Sequence, residues 1–133
     1  KDNFNSLPKP KGLQKQSRMI KDKFLELGEG NIDKICIFCA GYYGKNLLYE
    51  FRKRGLTVDF FSDNKESIWG TKIVGIVCIP PVQIDKEHTL IIVALQNTEE
   101  LLEKLKNSGY KYVISYKKIK KELLNIKPII IPN

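Results

Sequence analysis

From Ile35 to Phe38 the chain runs apolar without a polar break, the pattern of a short strand covered on both faces, and the predicted strand extends back to Lys34. Over residues 43–54 the pattern changes period. Leu47, Leu48 and Phe51 fall on one stripe, with Arg52, Lys53 and Arg54 in the last turn and Gly55 behind them, so a helix is predicted there. A second strand is predicted over Thr57–Ser62 and a third over Thr89–Leu95, the most hydrophobic run of the chain. Between them KIVGIVCIPP, residues 72–81, reads as a short irregular or hairpin-like excursion ended by two prolines. Asn97 or Thr98 caps the next predicted helix. Its Glu99 and Glu100 suit the N-terminal end, its buried stripe is Leu101, Leu102 and Leu105, and it stops at Asn107-Ser108-Gly109. YKYVIS, residues 110–115, is a fourth strand, and YKKIKKELLN, residues 116–125, is a basic final helix.

Strands alternating with helices at this pitch predict βαβ units and right-handed crossovers. The expected fold is α/β, with a parallel sheet of about four strands in the order 2-1-3-4 between helical layers. Upstream, Met19, Ile20, Phe24 and Leu27 fall at helical spacing before Gly28 and predict an extra N-terminal helix over Gln14–Leu27. Residues 1–12, with two prolines and a glycine, read as a flexible lead-in. The remainder, 13–133, is expected to be one domain with its core over 34–114 and a basic helix and tail over 115–133. At 133 residues, 42% hydrophobic and 29% charged, the chain has the composition of an ordinary globular domain. No apolar run is long enough to span a bilayer and no signal-peptide core precedes the domain, so a soluble cytoplasmic protein is expected. The first residue, Lys1, suggests a piece of a longer protein, with a covalently linked or associated catalytic domain.

The formal net charge of +8 invites a nucleic-acid reading, but the lysines gather at the two ends and the middle is nearly balanced. A solvated face is the simpler account, and nucleic acid is not the expected partner. Three cysteines, Cys36, Cys39 and Cys78, are an odd number without a secretory signal, so reduced thiols are expected.

The stretch that looks most like chemistry is ICIFCAGYYGK, residues 35–45, which admits three readings. As a P-loop, Cys39–Asn46 has the Gly-Lys pair but lacks the first glycine and the hydroxyl that ligates Mg²⁺. As a Cys-x-x-Cys pair, Cys36 lies inside the strand and Cys39 at its end, so alternation is expected to send them to opposite faces. His88 and Cys78 are too scattered to complete a metal site, and no metal is expected. As a dinucleotide-type turn, the order of strand, Gly41-x-x-Gly44 and helix fits its context, with Asp63 placed 19 residues beyond Gly44 after the second strand. Cys39 stands where the first glycine would be. The helix N-terminus then offers N–H groups to an anion.

Gly41 and Gly44, Asp63-Asn64, and then Gly70, Ile73, Gly75 and Pro81 together resemble the Rossmann-like nucleotide-binding module of PglD-type sugar acetyltransferases. Similar modules accompany FkbM-type methyltransferases and other polysaccharide-biosynthesis proteins. The resemblance covers roughly residues 34–114. It implies a three-layer Rossmann-like sandwich that binds a nucleotide or nucleotide-sugar, a UDP-type ligand before NAD(P), as an accessory part of a surface-polysaccharide transferase. It implies that Gly41, Tyr42 and Tyr43 line the phosphates, with Cys39, Gly44 and Lys45 in the same turn. Asp63 and Asn64 would meet ribose or base, and Ala94, Gln96 and Asn97 would form the far wall. The chain has no left-handed β-helix repeats for acetyl transfer, and no set of residues assigns a reaction. A Tyr116-x-x-x-Lys120 spacing is present, of the kind a basic helix produces by chance. Two further readings stay open: an interaction module with an empty crevice whose basic ends dock an acidic partner, and the NAD(P)-binding half of an oxidoreductase or epimerase.

Overall fold

A computed structural model describes residues 31–129; the expected lead-in and the helix over 14–27 lie outside them. The elements are β1 (Lys34–Phe38), α1 (Tyr42–Lys53), β2 (Phe60–Ser62), β3 (Lys72–Ile73), β4 (Ile76–Ile79), β5 (Thr89–Val93), α2 (Glu99–Asn107), β6 (Tyr112–Ser115) and α3 (Tyr116–Leu124). Single turns of 3₁₀ helix occupy Glu66–Ile68 and Pro81–Gln83.

The fold is α/β, but the sheet is not the purely parallel four-stranded one expected. It has six strands in the order β3-β4-β2-β1-β5-β6, and β3 runs antiparallel to β4. The four expected strands stand adjacent and parallel within it. The two additional strands come from KIVGIVCIPP. Val74 and Gly75 both take positive φ, 50° and 86°, which closes a two-residue hairpin between Ile73 and Ile76. Cys78 and Ile79 then pair in parallel with Phe61 and Ser62. A two-residue strand and a β-branched turn residue give no periodic signal in the sequence. Arg52 of α1 steadies this turn by donating from Nη2 to the Val74 carbonyl at 2.7 Å.

The second strand is also shorter than predicted. Leu56 and Val58 are buried, yet the strand ladder begins only at Phe60; just before it Asp59 bonds Ile35 twice, its N–H donating to the Ile35 carbonyl at 2.9 Å and its carboxylate accepting the Ile35 N–H at 2.7 Å. The third stops at Val93 rather than Leu95, and the fourth begins at Tyr112.

Alternation along the strands feeds two cores. Ile37, Phe61, Leu90, Ile92 and Ile114 face Leu47, Leu48 and Phe51 of α1 and Ile119 and Leu123 of α3. Cys36, Phe38, Ile91, Val93 and Val113 face Leu105 of α2 together with Ile84 and Tyr110. All five residues of β5 are buried, as its unbroken apolar run requires of a central strand. Each such Leu, Ile or Val contributes about 1.5–3 kcal/mol by leaving water.

The C-terminal helix ends follow the sequence signals, whereas Thr98, at the cap position of α2, makes no side-chain cap bond there. At the end of α1 the Gly55 N–H donates to the Arg52 carbonyl and the Leu56 N–H to that of Phe51, and Gly109 and Tyr110 do the same beyond α2. Arg54, at the end of α1, is 5% exposed. Its Nε donates to the Leu123 and Ile126 carbonyls at the end of α3, and its Nη1 donates to the Glu50 carboxylate at 2.8 Å. A cation thus sits at the negative end of α3's dipole and ties the two helices together. No helix among the described residues is long and apolar enough to cross a membrane.

Candidate functional site

The carboxyl ends of β2, β1 and β5 are locked side by side. The Cys39 N–H donates to the Ser62 carbonyl at 2.8 Å and the Ala94 N–H to that of Phe38 at 3.0 Å. Only Cys39, Ala40 and Gly41 separate β1 from α1. Three residues cannot form a loop whose N–H groups wrap a triphosphate, which excludes the P-loop reading. Gly44 is required for a different reason: a Cβ there would collide with the Cys39 carbonyl oxygen. Its absence lets the first turn of α1 lie directly against the strand end. Gly41 faces open space, and α1 has no side-chain cap. The free N–H groups of its first turn therefore open onto the crevice beyond the strand ends.

Cys39 adopts φ 84°, the left-handed region that a glycine would occupy without cost. That conformation breaks the strand alternation. The Cys39 side chain packs against the same cluster that contains Cys36, not on the opposite face as expected. Burial, reinforced by the nearby Asp63, pushes the Cys39 thiol up to about 12, and burial raises Cys36 and Cys78 as well. At neutral pH these groups are thiols, poor as nucleophiles and as metal ligands. Among the described residues no three His, Cys, Asp or Glu side chains gather to hold a metal ion. His88 is exposed, pairs with Asp85 at 2.9 Å, and lies away from the crevice at the start of β5.

Asp63 follows β2, as the spacing predicts, but both its oxygens serve the backbone. Oδ2 accepts the Ala40 N–H at 2.9 Å and Oδ1 accepts the Lys65 N–H at 3.0 Å. The Trp69 indole N–H donates to the Asp63 carbonyl at 2.6 Å. The acid thus braces the β1–α1 turn, and a ribose hydroxyl would have to use its remaining lone pairs. Asn64 beside it is exposed.

With the site's geometry in view, the chain can be set beside known proteins. It matches no protein-family model and no curated protein.

The aromatic side of the crevice joins three strand ends. The Tyr43 hydroxyl donates to Gln96 Oε1 at 3.3 Å, linking the turn after β1 to the loop after β5. The Tyr43 ring meets Tyr42 edge-on at 5.3 Å and Tyr116 edge-on at 5.6 Å. Lys120 Nζ lies 5.3 Å above the Tyr116 ring and 3.4 Å from its hydroxyl. Tyr42 is 74% exposed and forms the rim. Of the predicted residues, Tyr42, Tyr43 and Gln96 are brought together, while Lys45 and Asn97 stay exposed and Ala94 is buried in the sheet. Tyr116 and Lys120 join this group, a placement the spacing alone did not reveal. The signal was available in topology: β6 passes into α3 without a loop, so Tyr116 stands at the same edge as the ends of β1 and β5.

Proposed function

We propose that this is a Rossmann-like module that binds a nucleotide-type anion, a UDP-type nucleotide-sugar before NAD(P), in the crevice at the carboxyl ends of β1, β5 and β6. The observation that carries the reading is the uncapped N-terminus of α1, drawn against β1 by Gly44 and left open at Gly41. Backbone N–H groups and the helix dipole favour a phosphate at such a terminus. The Tyr42, Tyr43 and Tyr116 cluster supplies aromatic surface for the face of a base or sugar, and Gln96 and Lys120 supply polar contacts beside it. Asp63 acts first by holding Ala40 and Lys65, so its contribution to a ligand passes through the shape of the turn. The resemblance to the accessory modules of polysaccharide-biosynthesis enzymes supports the same ligand class and a cytoplasmic role beside a catalytic partner. The residues assembled here include no nucleophile with a neighbouring base, so the reading is of binding and not of a reaction.

Thermal-shift measurements with UDP-, GDP- and CDP-sugars, NAD(H) and coenzyme A test this. A ligand at about 100 times its Kd should stabilise the fold by about 2.7 kcal/mol. No shift with any nucleotide would overturn the proposal. Tyr42→Ala removes an exposed ring without opening the core, and it should weaken the bound nucleotide while leaving the unliganded melting temperature in place.

A further inference from the structure

On its α3 side the crevice presents chiefly hydrogen-bond donors. The Tyr43 hydroxyl donates to Gln96 Oε1, so what Gln96 has left to offer is its amide N–H groups. Lys120 Nζ donates to the Tyr116 oxygen, which leaves the Tyr116 O–H and the other N–H groups of the ammonium to donate elsewhere. The uncapped first turn of α1 adds main-chain N–H groups. Carboxylates do not balance them. Asp63 already accepts from the Ala40 and Lys65 N–H groups, and Glu99 and Glu100 begin α2, which packs on the other face of the sheet from α1 and α3.

Lys120 is the cation of this side. Among the described residues no carboxylate stands within ion-pair distance of it. Its place is nonetheless defined, 3.4 Å from the Tyr116 hydroxyl and 5.3 Å from the centre of that ring. Tyr43 belongs to the first turn of α1, and its ring centre is 5.6 Å from that of Tyr116. The two rings therefore form a row from the α1 terminus to α3, with the ammonium at the α3 end. A phosphate held at the α1 terminus leaves that ammonium to a group carried further along the ligand.

Resting on the crevice reading above, we propose that the sugar borne by the nucleotide is an acidic one: its ring lies against Tyr43 and Tyr116, and its carboxylate pairs with Lys120 beside the Tyr116 hydroxyl. A carboxylate only accepts, so it suits a wall of donors, and a bond between ammonium and carboxylate is roughly twice as strong as one between neutral groups. A neutral hydroxymethyl group in that place would leave the ammonium without a counter-charge. An amino sugar would set one ammonium against another, a repulsion that works as discrimination.

Isothermal titration calorimetry of the full chain with UDP-glucuronate and UDP-glucose tests this, since the two share base, ribose, diphosphate and sugar ring and differ in a carboxylate against a hydroxymethyl group. The epimeric pair UDP-galacturonate and UDP-galactose makes the same comparison. In at least one pair the acidic sugar should bind about tenfold tighter, equivalent to about 1.4 kcal/mol, and the preference should narrow at high salt. In Lys120→Met the ratio of the two affinities should fall to near one, whereas Lys120→Arg keeps the charge and should keep a preference. Lys72→Met removes the same charge from β3, at the far edge of the sheet, and should leave the ratio as in the parent. Because Lys120 is exposed, the melting temperatures of its variants without ligand should match the parent's. Equal binding within both pairs by the parent, or a preference that survives Lys120→Met, would overturn the proposal while the crevice reading stands. If Lys120→Met weakens UDP itself as much as the acidic nucleotide-sugar, or abolishes a preference for NADP over NAD, the ammonium serves a phosphate and the acidic-sugar proposal falls. Binding of no nucleotide by the parent would overturn the crevice reading and this one with it.

Discussion

Gly41 offers a substitution that should raise stability and remove function together. It occupies the cap position of α1 with φ −89°, a value any residue adopts, and a side chain there would meet open space. In Gly41→Asp a carboxylate would accept N–H groups of the first turn that now have no side-chain cap. Replacing glycine by aspartate at a helix cap gains a few tenths of a kcal/mol. A negative charge at the positive end of the dipole adds about 0.3–1 kcal/mol. Removing a glycine's freedom from the unfolded chain adds about 0.4–1 kcal/mol where the native φ is compatible. The contributions overlap, and about 1 kcal/mol is the expected sum, or about 3–4 °C in melting temperature for a domain of this size. The same carboxylate would fill and repel the place where the phosphate is proposed to sit. Differential scanning fluorimetry with and without the nucleotide reads both effects in one experiment. The expected result is a higher melting temperature without ligand and a ligand-induced shift that disappears. A variant that is more stable yet responds fully to nucleotide would refute a phosphate at the α1 terminus. A variant that is less stable would refute the cap geometry.

Three further outcomes follow from other parts of the structure. Gly44→Ala drives a methyl group into the Cys39 carbonyl and should cost about 3 kcal/mol, at the upper end of overpacking, in urea titrations; a loss below about 0.5 kcal/mol would mean that helix and strand can separate freely. Val74→Asn places a residue tolerant of positive φ in the hairpin turn while keeping the carbonyl that Arg52 holds, and should gain about 1 kcal/mol by the same titration. The Glu50 carboxyl is raised by partial burial, but the Arg54 hydrogen bond and the charges of Lys53 and Arg54 outweigh this and hold it below its ordinary value. A pKa lower in the folded than the unfolded state contributes stability that is complete above about pH 4.3 and is lost as pH falls through the folded value. Glu50→Gln should therefore be less stable than the parent at neutral pH and converge with it in acid; a constant difference down to the acid transition would show that the ion pair contributes nothing.

The parts of the fold that depend on long, regular patterns were legible in the sequence. The stripe of Leu47, Leu48 and Phe51 and the continuous run of β5 each commit several residues to one period, and both elements formed within a residue or two of the expected bounds. The β3–β4 hairpin was not legible as sheet, because its turn requires Val74 to take a conformation that local preference opposes, and Arg52, 22 residues away in sequence, supplies the compensating bond. β2 was overextended for a related reason. Leu56 and Val58 are apolar because they are buried, and burial without pairing looks the same in sequence as a strand. At the candidate site the spacing located Gly41, Gly44 and Asp63 but not what Asp63 does. Its hydrogen bonds to Ala40 and Lys65 depend on the path of the chain after β2. The faces taken by the cysteines were misread, because alternation holds only while φ stays negative, and Cys39 departs from it.

The sheet order carries a consequence for how the molecule comes into being. β1 is central, and its partners are β2, about two dozen residues downstream, and β5, which pairs Lys34 with Thr89. A chain that has emerged from the ribosome only as far as β4 has one neighbour for β1, an unpaired row of main-chain groups on its other side, and two apolar faces without β5 to complete them. Such an intermediate must wait for Thr89–Val93 before either core can close, which places folding among the slower, non-local cases and makes the wait the period of greatest exposure to aggregation. Truncations that end before β5 should accordingly yield insoluble chains, whereas the loop between β5 and α2 lies beyond the point at which the centre of the sheet is complete.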